Sequence, residues 1–212
     1  MRLTKLVHSC VLIEDDGYVA LLNPGIYSWQ SGIVNLDAVS ALDFVVVTHK
    51  HPDHLGEPFV RALVEKFPDA QWVAPVDARD DLRAMGVKNV TGQSIGPVEV
   101  KTVDHAKVEP FGVPVQNLIV HWNGKVTDPG DTHDFDETRG VLLVPVQAPW
   151  GTTIRAFELG LELKPQYLIP IHDWMWNEEW RNTIYDGLER VFSNGPTKFI
   201  RPVDGQPIEL SL

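Results

Sequence analysis

The 212-residue chain is 43% hydrophobic, enough to bury a substantial core, and a single compact domain over residues 1–212 is the expectation. Eighteen basic against twenty-nine acidic residues leave a net charge of -11, which argues against a nucleic-acid or anionic-membrane surface because both partners are polyanions. The single cysteine, Cys10, rules out an internal disulfide framework and a Cys-rich metal site; the opening MRLTKLVHSCVLIEDDG lacks the apolar core of a signal peptide, and no stretch reaches the ~18 apolar residues of a membrane span, so a cytoplasmic protein is expected.

From Leu3 to Ile13 the residues favour strand, and Tyr18–Leu22 continues after an Asp16-Gly17 hairpin turn. Asp43–Thr48 (DFVVVT) is a β-branched apolar run without alternation, which predicts a strand buried on both faces and ending at His49. Helical spacing predicts a helix over Pro58–Phe67, stopped before Pro68, and another over Asp77–Met85, closed by Gly86. A buried strand over Gln71–Pro75 lies between them. Strands follow at Val98–Val103, Val113–Trp122 and Lys125–Thr127, the last two joined by the tight turn Asn123-Gly124. Val141–Val146 reads as a buried strand and Thr153–Leu163 as an amphipathic helix with Thr152 as its N-cap. Tyr167–Ile171 is a strand ending at His172, and Asn177–Phe192 looks helical. Hairpins early and β-α-β units later predict a layered α/β protein with mixed sheets.

His49, His105, Asp131 and His172 each fall just past a predicted strand, where layered α/β folds assemble their ligand sites. The strongest motif is Thr48-His49-Lys50-His51-Pro52-Asp53-His54. Alternate side chains of an extended loop point the same way, so His49 and His51 can hold one ion. Asp53 and His54, beyond the kink at Pro52, can then turn to a second. Imidazole nitrogens and carboxylate oxygens suit zinc and other divalent transition metals.

This cluster resembles the signature of the metallo-β-lactamase superfamily, and later landmarks follow in that family's order: His105 in VDHAK, Asp131 in PGDT and His172 in IPIH. The opening KLVHSCVLIEDDGYVALLNPG resembles the branch of the ascorbate-6-phosphate lactonase-like proteins and related hydrolases. The resemblance implies a four-layer αββα sandwich with two mixed β-sheets. It assigns His49, His51 and His105 to a first metal, Asp53, His54 and His172 to a second, and Asp131 as the bridge. Two divalent ions are implied, zinc first, with manganese or iron as alternatives. One departure stands out: the family has Asp-Pro after the second strand, where this chain has Asn23-Pro24. The amide keeps the shape and a carbonyl acceptor but loses the charge, which either weakens one metal position or is tolerated.

A water shared by two ions, its pKa lowered from 15.7 to about 7, would attack a carbonyl carbon or a phosphorus as hydroxide. The resemblance makes Asp53, which would orient that water, and Asp131 the catalytic carboxylates. A metal-dependent hydrolase acting on a small ester, lactone or phosphoester is therefore expected, with a small molecule as partner. Self-association is a reasonable expectation for so small an enzyme. The rival readings are an iron-dependent redox enzyme, dioxygenase-like, and a non-catalytic binding module on the same fold. Among the remaining residues, His8 and His133 are candidates to face the site, and His121 is expected to be structural. Trp150, Trp174 and Trp176 are either site walls or core. Lys50, Lys107 and Arg155 are either phosphate contacts or solvated charges. Cys10, in a predicted strand, has no activating motif.

Overall fold

Consecutive residues of a β-strand face opposite ways, so a strand that is apolar at every position must be covered on both sides. The computed structural model describes every residue from 1 to 212 except 109 and 111, and it meets this demand with two facing sheets. In the first sheet, β1 (Arg2–Lys5), β2 (Val11–Asp15), β3 (Tyr18–Leu22), β4 (Phe44–Val46), β5 (Gln71–Val73) and β6 (Val90–Thr91) lie side by side, with β13 (Pro207–Glu209) against β1. Pairing is antiparallel from β13 to β3 and parallel from β3 to β6. The second sheet sets β7 (Val98–Asp104), β8 (Gln116–Trp122), β9 (Val126–Asp128), β10 (Val141–Pro145), β11 (Tyr167–Ile171) and β12 (Lys198–Phe199) side by side. It too changes from antiparallel to parallel, at β9.

The layers follow from where alternate side chains go. Phe44 and Val46 of β4 and Val141 and Leu143 of β10 meet in the core between the sheets. Val45 and Val47 face outward onto α2 (Glu57–Lys66) and α3 (Val76–Ala84), through Phe59, Leu63, Ala78 and Leu82. Leu142 and Val144 face outward onto α4 (Thr153–Leu163) and α5 (Glu178–Phe192), through Ala156, Leu188 and Phe192. The order helices, sheet, sheet, helices is the expected αββα sandwich. The expected N-cap forms, Thr152 accepting from the Arg155 N–H, and Asn177 caps α5 in the same way by accepting from the Trp180 N–H, contributing roughly 1 kcal/mol each.

Several expected strands are shorter in the structure, β4 by three residues and β5 by two among them. The run Leu3–Ile13 is broken by a turn in which the Leu6 N–H donates to Cys10 O and the Cys10 N–H to Val7 O, with His8 at φ 59. The run Val113–Trp122 pairs only from Gln116 onward. The five-residue α1 (Ile26–Gln30) and the two-to-three-residue strands β6, β12 and β13 escaped sequence reading, because elements that short carry no measurable periodicity. No helix among the described residues is long and apolar enough to cross a membrane.

Candidate metal centre

The loops leaving β4, β7, β9 and β11 converge at one end of the sandwich and carry the polar residues with them. After β4 the chain folds tightly on itself, with the His54 and Leu55 N–H groups both donating to His51 O. The loop is pinned to the start of α1 by the Ile26 N–H, which donates to Pro52 O. A Cβ at Gly25 would lie 1.7 Å from Asp53 O, so only glycine permits this approach. The Asp131 turn is held by Asn117, whose Oδ1 accepts from the Asp131 N–H at 3.1 Å and whose Nδ2 donates to Pro129 O at 2.8 Å. Gly130, at φ 60, is required here twice over, since a Cβ would stand 2.1 Å from Asn117 Oδ1.

All seven residues expected as ligands come together, and His8 joins them. His49, His51, His105 and Asp131 form one group and His8, Asp53, His54 and His172 another, each with its donor atoms within 4.8 Å of one another. Asp131 lies between the groups: Oδ2 is 3.8, 3.3 and 3.3 Å from the Nε2 atoms of His49, His105 and His172, and Oδ1 is 3.1 Å from that of His54. In the second group Asp53 Oδ2 is 3.2 Å from His8 Nε2, 3.5 Å from His172 Nε2 and 3.9 Å from His54 Nε2. Donors about 2.0–2.1 Å from a tetrahedral zinc stand roughly 3.4 Å apart, close to these separations.

The donor set suits metal on a second count. Nε2 of His49, His54, His105 and His172 is buried without a hydrogen-bond partner among the described residues, as is Asp131 Oδ1. Orphaned buried groups are costly unless something else satisfies them. Meanwhile the Nδ1 side of each ring is engaged, with Thr48 Oγ1 for His49 and His54, Ala106 O for His105 and Gln147 O for His172. That leaves Nε2 free to coordinate, the usual arrangement around metal-binding histidines.

The electrostatics of the two groups differ. Burial, then the neighbouring His54, pushes the His49 pKa well below the ordinary imidazole value, and burial, then His105, lowers that of His51. Burial also opposes protonation of His54 and His172, but the Asp131 and Asp53 carboxylates outweigh it and raise both. Asp53 and Asp131 resist the upward push of burial because His54 and His172 hold them well below the carboxylate range. Backbone strain collects here as well. Of the six non-glycine residues at positive φ among the described residues, Asp16 and Asn123 sit in hairpin turns and Lys164 ends α4; His8, Asn23 and His172 surround the centre.

Trp150 is a site wall rather than core: its indole N–H donates to Asp131 Oδ2 at 3.1 Å, and its ring meets His105 and His172 edge-on. His133 supports it from behind, with ring centroids 5.1 Å apart and Nε2 at 2.8 Å from Pro145 O. Trp176 packs into the core under α5, and Trp174 stacks on Tyr27. His121 is structural, paired with Thr127 Oγ1 at 2.9 Å. Lys50 faces Asp77 and Arg155 is engaged by Glu162 and Glu158, while Lys107 is exposed. Burial pushes the Cys10 thiol up to about 12, so it is no nucleophile. A cavity of about 210 Å³ opens over the donors and is walled by Val108, Gly112, Pro149 and Trp150. A larger one, about 270 Å³, lies on the outer face of the first sheet among apolar chains such as Leu12, Val34 and Leu63, and holds none of the donors. Chemistry, not size, locates the site.

Two facing mixed sheets with histidine- and aspartate-bearing loops at one end define a metallo-β-lactamase-type fold. The family model described as a beta-lactamase superfamily domain matches residues 2–172, and the chain belongs to that family. It is similar to the UPF0173 protein PF0020 of Pyrococcus furiosus, 26% identical over 183 residues that cover 81% of this chain and 83% of the relative. It is also similar to a UPF0173 metal-dependent hydrolase of Carboxydothermus hydrogenoformans, 25% identical over 198 residues, 83% of this chain and 86% of that one. Among solved structures, Igni18, described as a novel metallo hydrolase from the archaeon Ignicoccus hospitalis, superposes with a TM-score of 0.70 at 22% identity, covering 99% of each chain.

Proposed function

We propose that this chain is a metal-dependent hydrolase that opens small ester, lactone or phosphoester substrates at a two-zinc centre. The observation that carries the proposal is the pair of four-donor groups meeting at Asp131, with four buried Nε2 atoms left unpaired. Relatives described as metal-dependent hydrolases support the same reading. His49, His51 and His105 would hold one ion and Asp53, His54 and His172 the other, with Asp131 touching both. Bound there, two divalent ions supply an acidified water, with pKa near 7, and electrophilic assistance at the scissile bond.

The residues supply the rest. Asp53 lines the cavity and is held ionised by His54 and His172, and its carboxylate would orient a water for attack. The Trp150 N–H fixes the Asp131 carboxylate, so the bridge keeps one orientation while a substrate enters. Val108, Pro149 and Trp150 offer apolar walls to the body of the substrate and exclude water from the reacting bond. With Lys50 and Arg155 facing carboxylates elsewhere, these walls favour an uncharged ester or lactone over a phosphoester.

The test is metal analysis of protein purified without chelators or a metal-affinity tag, followed by a screen of lactones, esters and phosphodiesters. About two zinc or manganese ions per chain with turnover of one class supports the proposal. Near-stoichiometric iron with oxygen consumption replaces it with redox chemistry, and no metal after reconstitution removes it.

A further inference from the structure

Behind the donors runs a buried chain of hydrogen bonds that hydrolysis does not itself use. Thr48 Oγ1 lies 3.0 Å from His49 Nδ1 and 3.1 Å from His54 Nδ1, and these histidines belong to different donor groups. Thr48 N and Thr48 Oγ1 each lie 2.9 Å from Asn23 Oδ1. Asn23 Nδ2 donates to Asp128 Oδ2 at 2.9 Å, and Asp128 Oδ1 accepts from the Gly130 N–H at 2.9 Å. Asn23, Thr48, His49, His54 and Asp128 are at most 1% exposed, so water does not compete for these bonds.

Chemistry fixes every direction along this chain. A peptide N–H only donates, so the Asn23 atom facing Thr48 N is the oxygen, and the amide NH2 faces Asp128. An amide oxygen only accepts, so the Thr48 hydroxyl gives its one hydrogen to Asn23. Its lone pairs are then all that remain for the two imidazoles. Both rings must carry a hydrogen on Nδ1, so that each, once neutral, turns an Nε2 lone pair toward the centre. We infer that Thr48 is a positioning residue that sets the Nδ1–H form of one histidine in each donor group, and that Asn23 and Asp128 hold its hydroxyl in the accepting role. The inference rests on the two-metal reading of the centre.

It also accounts for the amide at position 23. A carboxylate there would face Asp128 across a contact that only a shared proton can bridge, whereas one amide and one carboxylate complete the chain in either order without one. With the pair exchanged, an amide at 128 takes the Gly130 N–H on its oxygen and donates to the carboxylate at 23, which still accepts from Thr48.

The test is zinc titration against a chromogenic chelator for the wild type, Thr48→Val, Thr48→Ser, Asn23→Asp and the double variant Asn23→Asp/Asp128→Asn, with ¹⁵N spectra of labelled histidine in the zinc-loaded wild type. Thr48→Val should weaken both ions by about 10–100-fold, while Thr48→Ser and the double exchange stay within about threefold of the wild type. Asn23→Asp alone should fall between these, and the spectra should place hydrogen on Nδ1 of His49 and His54. Wild-type affinity for both ions in Thr48→Val, or a double exchange no better than Asn23→Asp alone, overturns the inference while leaving the two-metal reading intact. A wild type that takes up no zinc overturns that reading and this inference with it.

Discussion

The first donor group takes His49 and His51 from one loop and His105 from the loop after β7. The second takes Asp53 and His54 from the same first loop, but is completed by His8 and His172, which approach from β1 and β11. The groups differ in how they hold protons. Burial keeps His49 and His51 neutral, ready for a cation, whereas the carboxylates keep His54 and His172 protonated to higher pH. Two sites that share Asp131 should therefore fill by different routes: the first with little proton release, the second by displacing protons.

The largest effect should come from removing what the groups share. Asp131→Ala should cost both ions and lower hydrolysis by at least about 10³-fold, while the loop keeps its backbone bonds to Asn117 and Ala106 and the thermal transition persists. Unchanged turnover in a folded variant would remove the two-metal mechanism. Next comes His8→Ala, which touches only the second group. The second ion should bind about 10–100-fold more weakly and the first as before, as read by chelator competition. Equal weakening of both ions would erase the distinction drawn between the groups.

A smaller, graded effect is expected from pH. His54 and His172 have folded pKa values raised above the ordinary 6.5, so a metal must displace their protons; affinity for the second ion should rise with pH, about tenfold per unit for each proton displaced, and level off above the raised values. Calorimetry in two buffers of different ionisation enthalpy counts those protons. In the metal-free protein the same two groups contribute stability that is full below about pH 6.5 and is lost as pH rises through their folded values. Its melting temperature should therefore drift down above that pH, and a rising one would reverse the assignment. The smallest change is Trp150→Phe, which removes the N–H on Asp131 but keeps an aromatic wall: about a tenfold loss of turnover with both ions retained. Loss of an ion would make Trp150 part of the metal scaffold instead.

Much of this centre was readable from the chain alone, because a ligand motif is a local pattern. Thr48–His54 puts four donors within one turn of loop, directly after the apolar, fully buried β4, and His172 follows the apolar run of β11, while His105 and Asp131 follow β7 and β9, which carry polar residues. Hairpins at Asp16-Gly17 and Asn123-Gly124 were legible for the same reason, both residues of each pair taking the positive φ that such turns demand.

What no local pattern contained were the meetings across the fold. His8 reaches Asp53, Asn23 reaches Asp128, and Trp150 rather than Trp174 or Trp176 reaches Asp131. Lys5, fully buried, pairs with Asp173 at 2.9 Å and with Asp204, beside the residue that bears the last donor. Composition and periodicity specify which faces are apolar and where strands end, since those depend on neighbours in sequence. Which polar residue meets which across the interior depends on the packing of two sheets, and that was decided only when the tertiary structure brought distant strand ends together.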